Sequence, residues 1–151
     1  MSLLYHYVPV RVPQPVWPLG GRWVRPRPLI NITLIGPTAT VIRRAKLDTG
    51  ADDTLFPESL AAQIGLDLTN APVGEAKSLG AFPAPLRYAQ VTLRVTDGVE
   101  QRQWPAWVGF TPVRLKYPLL GFAGCLQLFT ATFRGDREEV ELAVNGLYPG
   151  T

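Results

Sequence analysis

An all-β fold is predicted for this chain by three observations. Several segments alternate apolar and polar residues with a period of two. Gly, Pro and Asp-Gly pairs punctuate them at short intervals. Helical spacing is confined to Pro57 to Ile64 and to a turn or two within Phe122 to Leu128, so one or two short helices are expected. The 151 residues suffice for one domain with a core. A content of 46% hydrophobic and 18% charged residues places the chain among globular rather than disordered proteins.

The elements follow in order. Residues 1–28 hold Pro9, Pro13, Pro15, Pro18, Pro26 and Pro28, which exclude a helix and disfavour a central strand. This segment reads as an extended or disordered N-terminal arm, packing by Tyr5, Tyr7, Trp17 and Trp23 if ordered. Residues 29–151 form the domain. Leu29 to Ile35 reads as a strand, Gly36-Pro37 as a turn, and Thr38 to Leu47 as a second strand rich in β-branched residues. In Pro57 to Ile64, proline suits the first helical position, Leu60 and Ile64 share a face, and Gly65 suits the C-terminal cap. Leu79 to Pro83 interrupts two extended stretches, as a hairpin tip does. Arg87 to Thr96 alternates as a half-buried strand, and Asp97-Gly98 turns it into Val99 to Phe110, where Pro105 demands a bulge or an edge. Of Trp104 and Trp107 at least one belongs in the core. Leu119-Leu120-Gly121 is a short apolar strand, and a final hairpin joins Phe129 to Phe133 with Val140 to Val144. Glu138, Glu139 and Glu141 read as a solvated face and turn.

Composition excludes several chemistries. One cysteine, Cys125 in an apolar run, rules out an internal disulfide and reads as a buried inert thiol. With His6 as the single histidine, no metal cluster of the usual His/Cys spacing can be assembled, and no metal or cofactor is expected. The formal charge of +3 is modest. Arg11, Arg22, Arg25 and Arg27 are interleaved with Pro and Trp, which suits a solvated or partner-facing segment better than a nucleic-acid arm. No signal-peptide pattern opens the chain, and its longest apolar run is broken by Gly121, Gly124 and Gln127, so no membrane span is expected. The default expectation is a cytoplasmic protein.

Leu47-Asp48-Thr49-Gly50-Ala51 carries the chemistry. Asp48 ends a strand, Gly50 permits a sharp turn that brings peptide N–H groups to its carboxylate, and the Thr49 hydroxyl can lock the loop. In isolation such a sequence is an ordinary turn. Two such carboxylates held together cannot both ionise cheaply, so the pair keeps one proton and serves as acid and base at once. The ionised member takes a proton from water while the other donates to a scissile carbonyl; aspartic proteases are the standing illustration of this coupling. The motif occurs once here, and no internal repeat supplies a second. A paired site therefore needs two copies of the chain.

Residues 46–56, Lys-Leu-Asp-Thr-Gly-Ala-Asp-Asp-Thr-Leu-Phe, resemble the active-site loop of the retropepsins, the single-lobed aspartic proteases of retroviruses and their relatives. Pro118-Leu119-Leu120-Gly121 resembles that family's apolar-apolar-Gly element, and the spacing agrees across roughly residues 29 to 145. The resemblance implies a closed β fold acting as a homodimer and an aspartic endopeptidase with Asp48 from each subunit as the catalytic dyad. Thr49 and Gly50 would support the loop, and Gly50 and Asp52 would contact the substrate backbone. Asp53 would line a side-chain pocket, and Leu79, Gly80, Ala81 and Phe82 would form a covering flap. Substrate would bind as an added strand, with Leu86, Val108 and Leu119 favouring hydrophobic residues beside the cut. Two departures stand out. Phe122 and Ala123 replace the Arg and polar residue that usually follow the glycine, which leaves Asp52 to find another cation, such as an arm arginine, or to stay solvated. The flap lacks the usual glycine cluster. These departures motivate an alternative, a retropepsin-fold peptide-binding or dimerisation module with little or no turnover.

Overall fold

The computed structural model of this protein describes residues 1–77 and 83–151. The described residues are predominantly strand: β1 (Leu3–His6), β2 (Val8–Val16), β3 (Arg22–Arg27), β4 (Leu29–Ile35), β5 (Thr40–Leu47), β6 (Leu55–Pro57), β7 (Val73–Ala76), β8 (Ala84–Thr96), β9 (Gln101–Thr111), β10 (Leu119–Leu120), β11 (Phe129–Arg134) and β12 (Glu139–Val144). The short α1 (Glu58–Gln63) and two single 3-10 turns, Trp17–Leu19 and Leu126–Leu128, complete the set. The all-β expectation holds. No helix among the described residues is long and apolar enough to cross a membrane.

The larger sheet runs β4-β5-β10-β6-β9-β8-β7, and β4 also pairs with β8. That second pairing, Leu34 opposite Leu93, closes the sheet into a ring and leaves β7 outside it. Closure removes two free edges and wraps the inward faces around one core. Period-two alternation supplies that core: Ile30, Ile32 and Leu34 of β4 and Val91, Leu93 and Val95 of β8 are all buried. Phe56, Phe110 and Leu120 fill the centre, with Leu60 and Ile64 of the α1 region capping one side. Pro57 stands just ahead of α1 rather than at its first position, and Gly65 follows with φ of +88°, the left-handed conformation expected of a helix end.

A second sheet, β1-β12-β11, packs onto the same core. Trp104 joins the two sheets. It is buried, meets Phe129 edge-on at 5.3 Å between ring centres, and donates from Nε1 to the Gly124 carbonyl at 2.8 Å. Trp107, on the other face of β9, is exposed, so the two tryptophans divide between core and surface. Pro105 pairs with Thr92 without a register break, where β9 has β8 on one side only, so the edge explanation applies and no bulge is needed.

The N-terminal segment divides. Leu3 is buried in the main core, and β1 lies antiparallel to β12, so the first strand is built into the body. Residues from β2 to β3 form a two-stranded ribbon of their own. Tyr5 and Tyr7 pack against the core, whereas Trp17 and Trp23 are exposed. Glu139 departs from the expected solvated face. It is 8% exposed, with Arg137 at 3.5 Å and Arg134 and His6 each at 3.9 Å. The Cys125 thiol is buried, and burial pushes its pKa up to about 12, which suits an inert core residue.

Candidate active site

The loop from Asp48 to Thr54 joins β5 to β6, and β10 lies between those two strands. Leu119 and Leu120 run parallel to Lys46 and Leu47, while Leu119 faces Leu55 in the antiparallel sense. The strands entering and leaving the loop are thus held apart by one short apolar strand. Backbone bonds continue on both sides of it. The Asp48 N–H donates to the Leu120 carbonyl at 3.0 Å, Phe122 N–H to Ala51 at 2.9 Å, Ala123 N–H to Asp52 at 2.8 Å, and Thr54 N–H to Ala123 at 3.1 Å. Gly121 allows this threading. A Cβ there would overlap the Asp53 carbonyl and come within 2.7 Å of the Ala51 oxygen, so only glycine fits.

Within the loop the Gly50 N–H donates to Asp48 Oδ1 at 2.9 Å, and the Ala51 N–H to the Asp48 carbonyl at 3.2 Å. Of the expected peptide N–H groups, that of Gly50 reaches the carboxylate, while that of Ala51 goes to the main-chain carbonyl. Leu47 and Ala51 are buried, the Asp48 side chain is 28% exposed, and Thr49 and Gly50 lie at the surface. The lock comes from Thr54 rather than Thr49. Thr54 is fully buried, and its hydroxyl donates to the Ala123 carbonyl at 2.8 Å. No hydrogen bond of the Thr49 hydroxyl occurs within the chain among the described residues.

The remaining predicted residues fall into separate places. Asp53 accepts from the Tyr88 hydroxyl at 3.0 Å, and burial, then this bond, raises the Tyr88 pKa. Asp52 is exposed, and among the described residues no cation lies within 4 Å of it. Leu119 is 9% exposed and packs with Ala51, Leu55 and Leu86 in a small apolar cluster beside the loop. Asp52, Asp53 and Leu119 border one small cleft of about 30 Å³, together with Ala76 and Lys77 of the β7 end. Leu86 and Val108 are buried, each about 1% exposed. Leu79, Gly80, Ala81 and Phe82 lie outside the described residues; on either side of them Ala76 pairs with Ala84.

Three contributors were not singled out by sequence reasoning. Lys46 stands two residues before Asp48 in an extended chain, hence on the same face, and its Nζ lies 3.8 Å from Asp48 Oδ2. That signal was readable from spacing. Thr54 and Tyr88 were not, because their partners come from distant segments.

Two grooves flank Asp48. One of about 330 Å³ is bordered by Lys46, Asp48, Leu119 and the segment before β10, and the other, of about 260 Å³, by Pro28, Thr49 and Phe133. The chain matches no protein-family model and no curated protein. The fold and the site define a closed all-β domain presenting one Asp-Thr-Gly carboxylate on a rigid loop between two grooves.

Proposed function

We propose that this protein is an aspartic endopeptidase of the retropepsin kind, active as a homodimer. The observation that carries the reading is the single Asp48 loop, held by backbone bonds to β10 and open to solvent at Thr49 and Gly50. One carboxylate supplies half of an acid–base pair, and a twofold partner supplies the other. Exposed Phe133 borders the smaller groove, and exposed Phe122 is bonded through its N–H to Ala51 of the loop; both offer apolar area for such a partner. In the dimer one Asp48 deprotonates a water, while the protonated Asp48 of the second copy donates to the carbonyl of an extended peptide. The bond breaks through a tetrahedral intermediate with no covalent link to the protein.

Asp48→Asn is expected to abolish cleavage of a peptide pool while leaving the circular dichroism spectrum unchanged. Cleavage by the unaltered protein should rise with dimer concentration in parallel sedimentation runs. Undiminished proteolysis by the variant would remove Asp48 from the mechanism.

A second reading, a dimerising peptide-binding module without turnover, is favoured by Lys46. It offers Asp48 a cation within its own chain, whereas a proton-sharing pair works through the mutual repulsion of two carboxylates. Dimers that bind peptides yet cut none at any pH would select it.

A further inference from the structure

The larger groove beside Asp48 has apolar wall from Leu115, Tyr117 and Leu119, but cations make up half of its border. Arg27 from the end of β3, Lys46 from β5, and Arg114 and Lys116 from the segment before β10 all border it, with Leu119 and Asp48 itself. Four cations thus share about 330 Å³ with one carboxylate. Among the described residues, Lys46 alone of the four has a carboxylate within 4 Å, and that carboxylate is Asp48. Lys116 instead rests 5.7 Å from the centre of the Tyr117 ring. The four come from three segments distant in sequence, so the fold gathers like charges against their repulsion. A concave site with one sign of charge focuses potential and attracts the opposite charge.

We propose that this groove receives an acidic side chain, aspartate or glutamate, of an extended peptide whose backbone passes Asp48. The inference rests on the reading of Asp48 as a peptidase carboxylate and names its substrate class. A peptide suits the geometry because its backbone is uncharged beside Asp48 while its side chain carries the negative charge to Arg114 and Lys116. A nucleic acid would bring a phosphate to Asp48 with every backbone unit. A twofold dimer presents the groove twice, so the preference extends to both sides of the cut.

The test uses Asp48→Asn protein, which leaves bound peptide intact. Fluorescence anisotropy compares short labelled peptides that differ only in Glu or Gln at the central positions, with a single-stranded oligonucleotide as competitor. The Glu peptide is expected to bind about tenfold more tightly than the Gln peptide at low salt, with the gap narrowing as salt rises. The gap should close when Arg114→Gln and Lys116→Gln are added; both side chains are exposed, and circular dichroism checks the fold. Equal binding of the two peptides, a preference that survives the added substitutions, or displacement of the Glu peptide by a lower concentration of oligonucleotide would each overturn the proposal. Parallel digestion by the unaltered protein separates the two readings. Acidic preference in binding without cleavage keeps the groove and removes the peptidase. Asp48-dependent cleavage indifferent to acidic residues keeps the peptidase and removes the groove.

Discussion

The β2–β3 ribbon and the Asp48 loop are both segments that proline or glycine would mark as irregular, yet they are held in opposite ways. The ribbon satisfies its backbone largely within its own ladder, and its side-chain hydrogen bonds to the body, among the described residues, run from Arg22 to Glu138. Trp17 at its tip is 80% exposed. The Asp48 loop makes few bonds to itself and more to β10 and the residues just after it, over sixty positions away, through Leu120, Phe122 and Ala123. The ribbon is thus tied to the body at few points, whereas the loop is tied to the β10 segment at Asp48, Ala51, Asp52 and Thr54. Placement of a carboxylate to within a bond length needs the second arrangement.

The contrast can be broken most forcefully at Gly121. Gly121→Ala drives a Cβ into the Asp53 and Ala51 carbonyls. A destabilisation of about 3 kcal/mol is expected in urea unfolding. A midpoint unchanged from the parent would show that the threading of β10 is not rigid. Thr54→Val keeps the shape and removes the buried hydroxyl's bond to Ala123, leaving the Thr54 N–H bond in place. About 1 kcal/mol should be lost, with faster hydrogen exchange at Ala123 than at residues of β8.

Acid sharpens the comparison from the other end of the chain. Asp97 accepts from the N–H groups of Glu100, Val99 and, across to β1, Leu4. The Glu100 bond first, and the Leu4 bond next, hold its carboxyl below the usual range. A group depressed in the folded state stabilises above its unfolded pKa, about 3.9, and that contribution is lost as pH falls through the folded value. Exchange of the Leu4 amide should therefore accelerate below about pH 4 while the amides of Asp48 and Phe122 stay protected. Asp97→Asn should remove most of that pH dependence; a Leu4 amide still accelerating in the variant would assign the effect elsewhere. The smallest change belongs to the ribbon tip. Trp17→Ala is expected to alter unfolding free energy by no more than about 0.5 kcal/mol, and a larger loss would mean that the ribbon is packed more firmly than its exposure indicates.

Local features of the fold were legible because their causes are local. Leu29–Ile35 matches its predicted bounds, Asp97-Gly98 turns β8 into β9, and Gly65 ends the helix region, since alternation, turn preference and positive φ depend on adjacent residues. The Asp48 loop was legible for the same reason. Glu139 was misread as a solvated position, because the Arg134, Arg137 and His6 around it meet only after β11, β12 and β1 align. The proline-rich arm reads as extended or disordered; it is extended, but nothing in its own residues shows that Leu3 enters the core.

From residue order alone came β4, β5 and β8 to β12, the main turns, the loop that aims Asp48 and the absence of a second such loop, but not β1 to β3 or β6. Tertiary structure alone decided that β10 would lie between β5 and β6, that β4 would close onto β8, and that Arg27, Lys46, Arg114 and Lys116 would border one groove. The reason is physical. A period of two specifies which face of a strand is buried, but it is the same for every strand and does not say which strands become neighbours. That choice is made by the packing of the whole core, and the charges carried on the strand ends are brought together as its consequence.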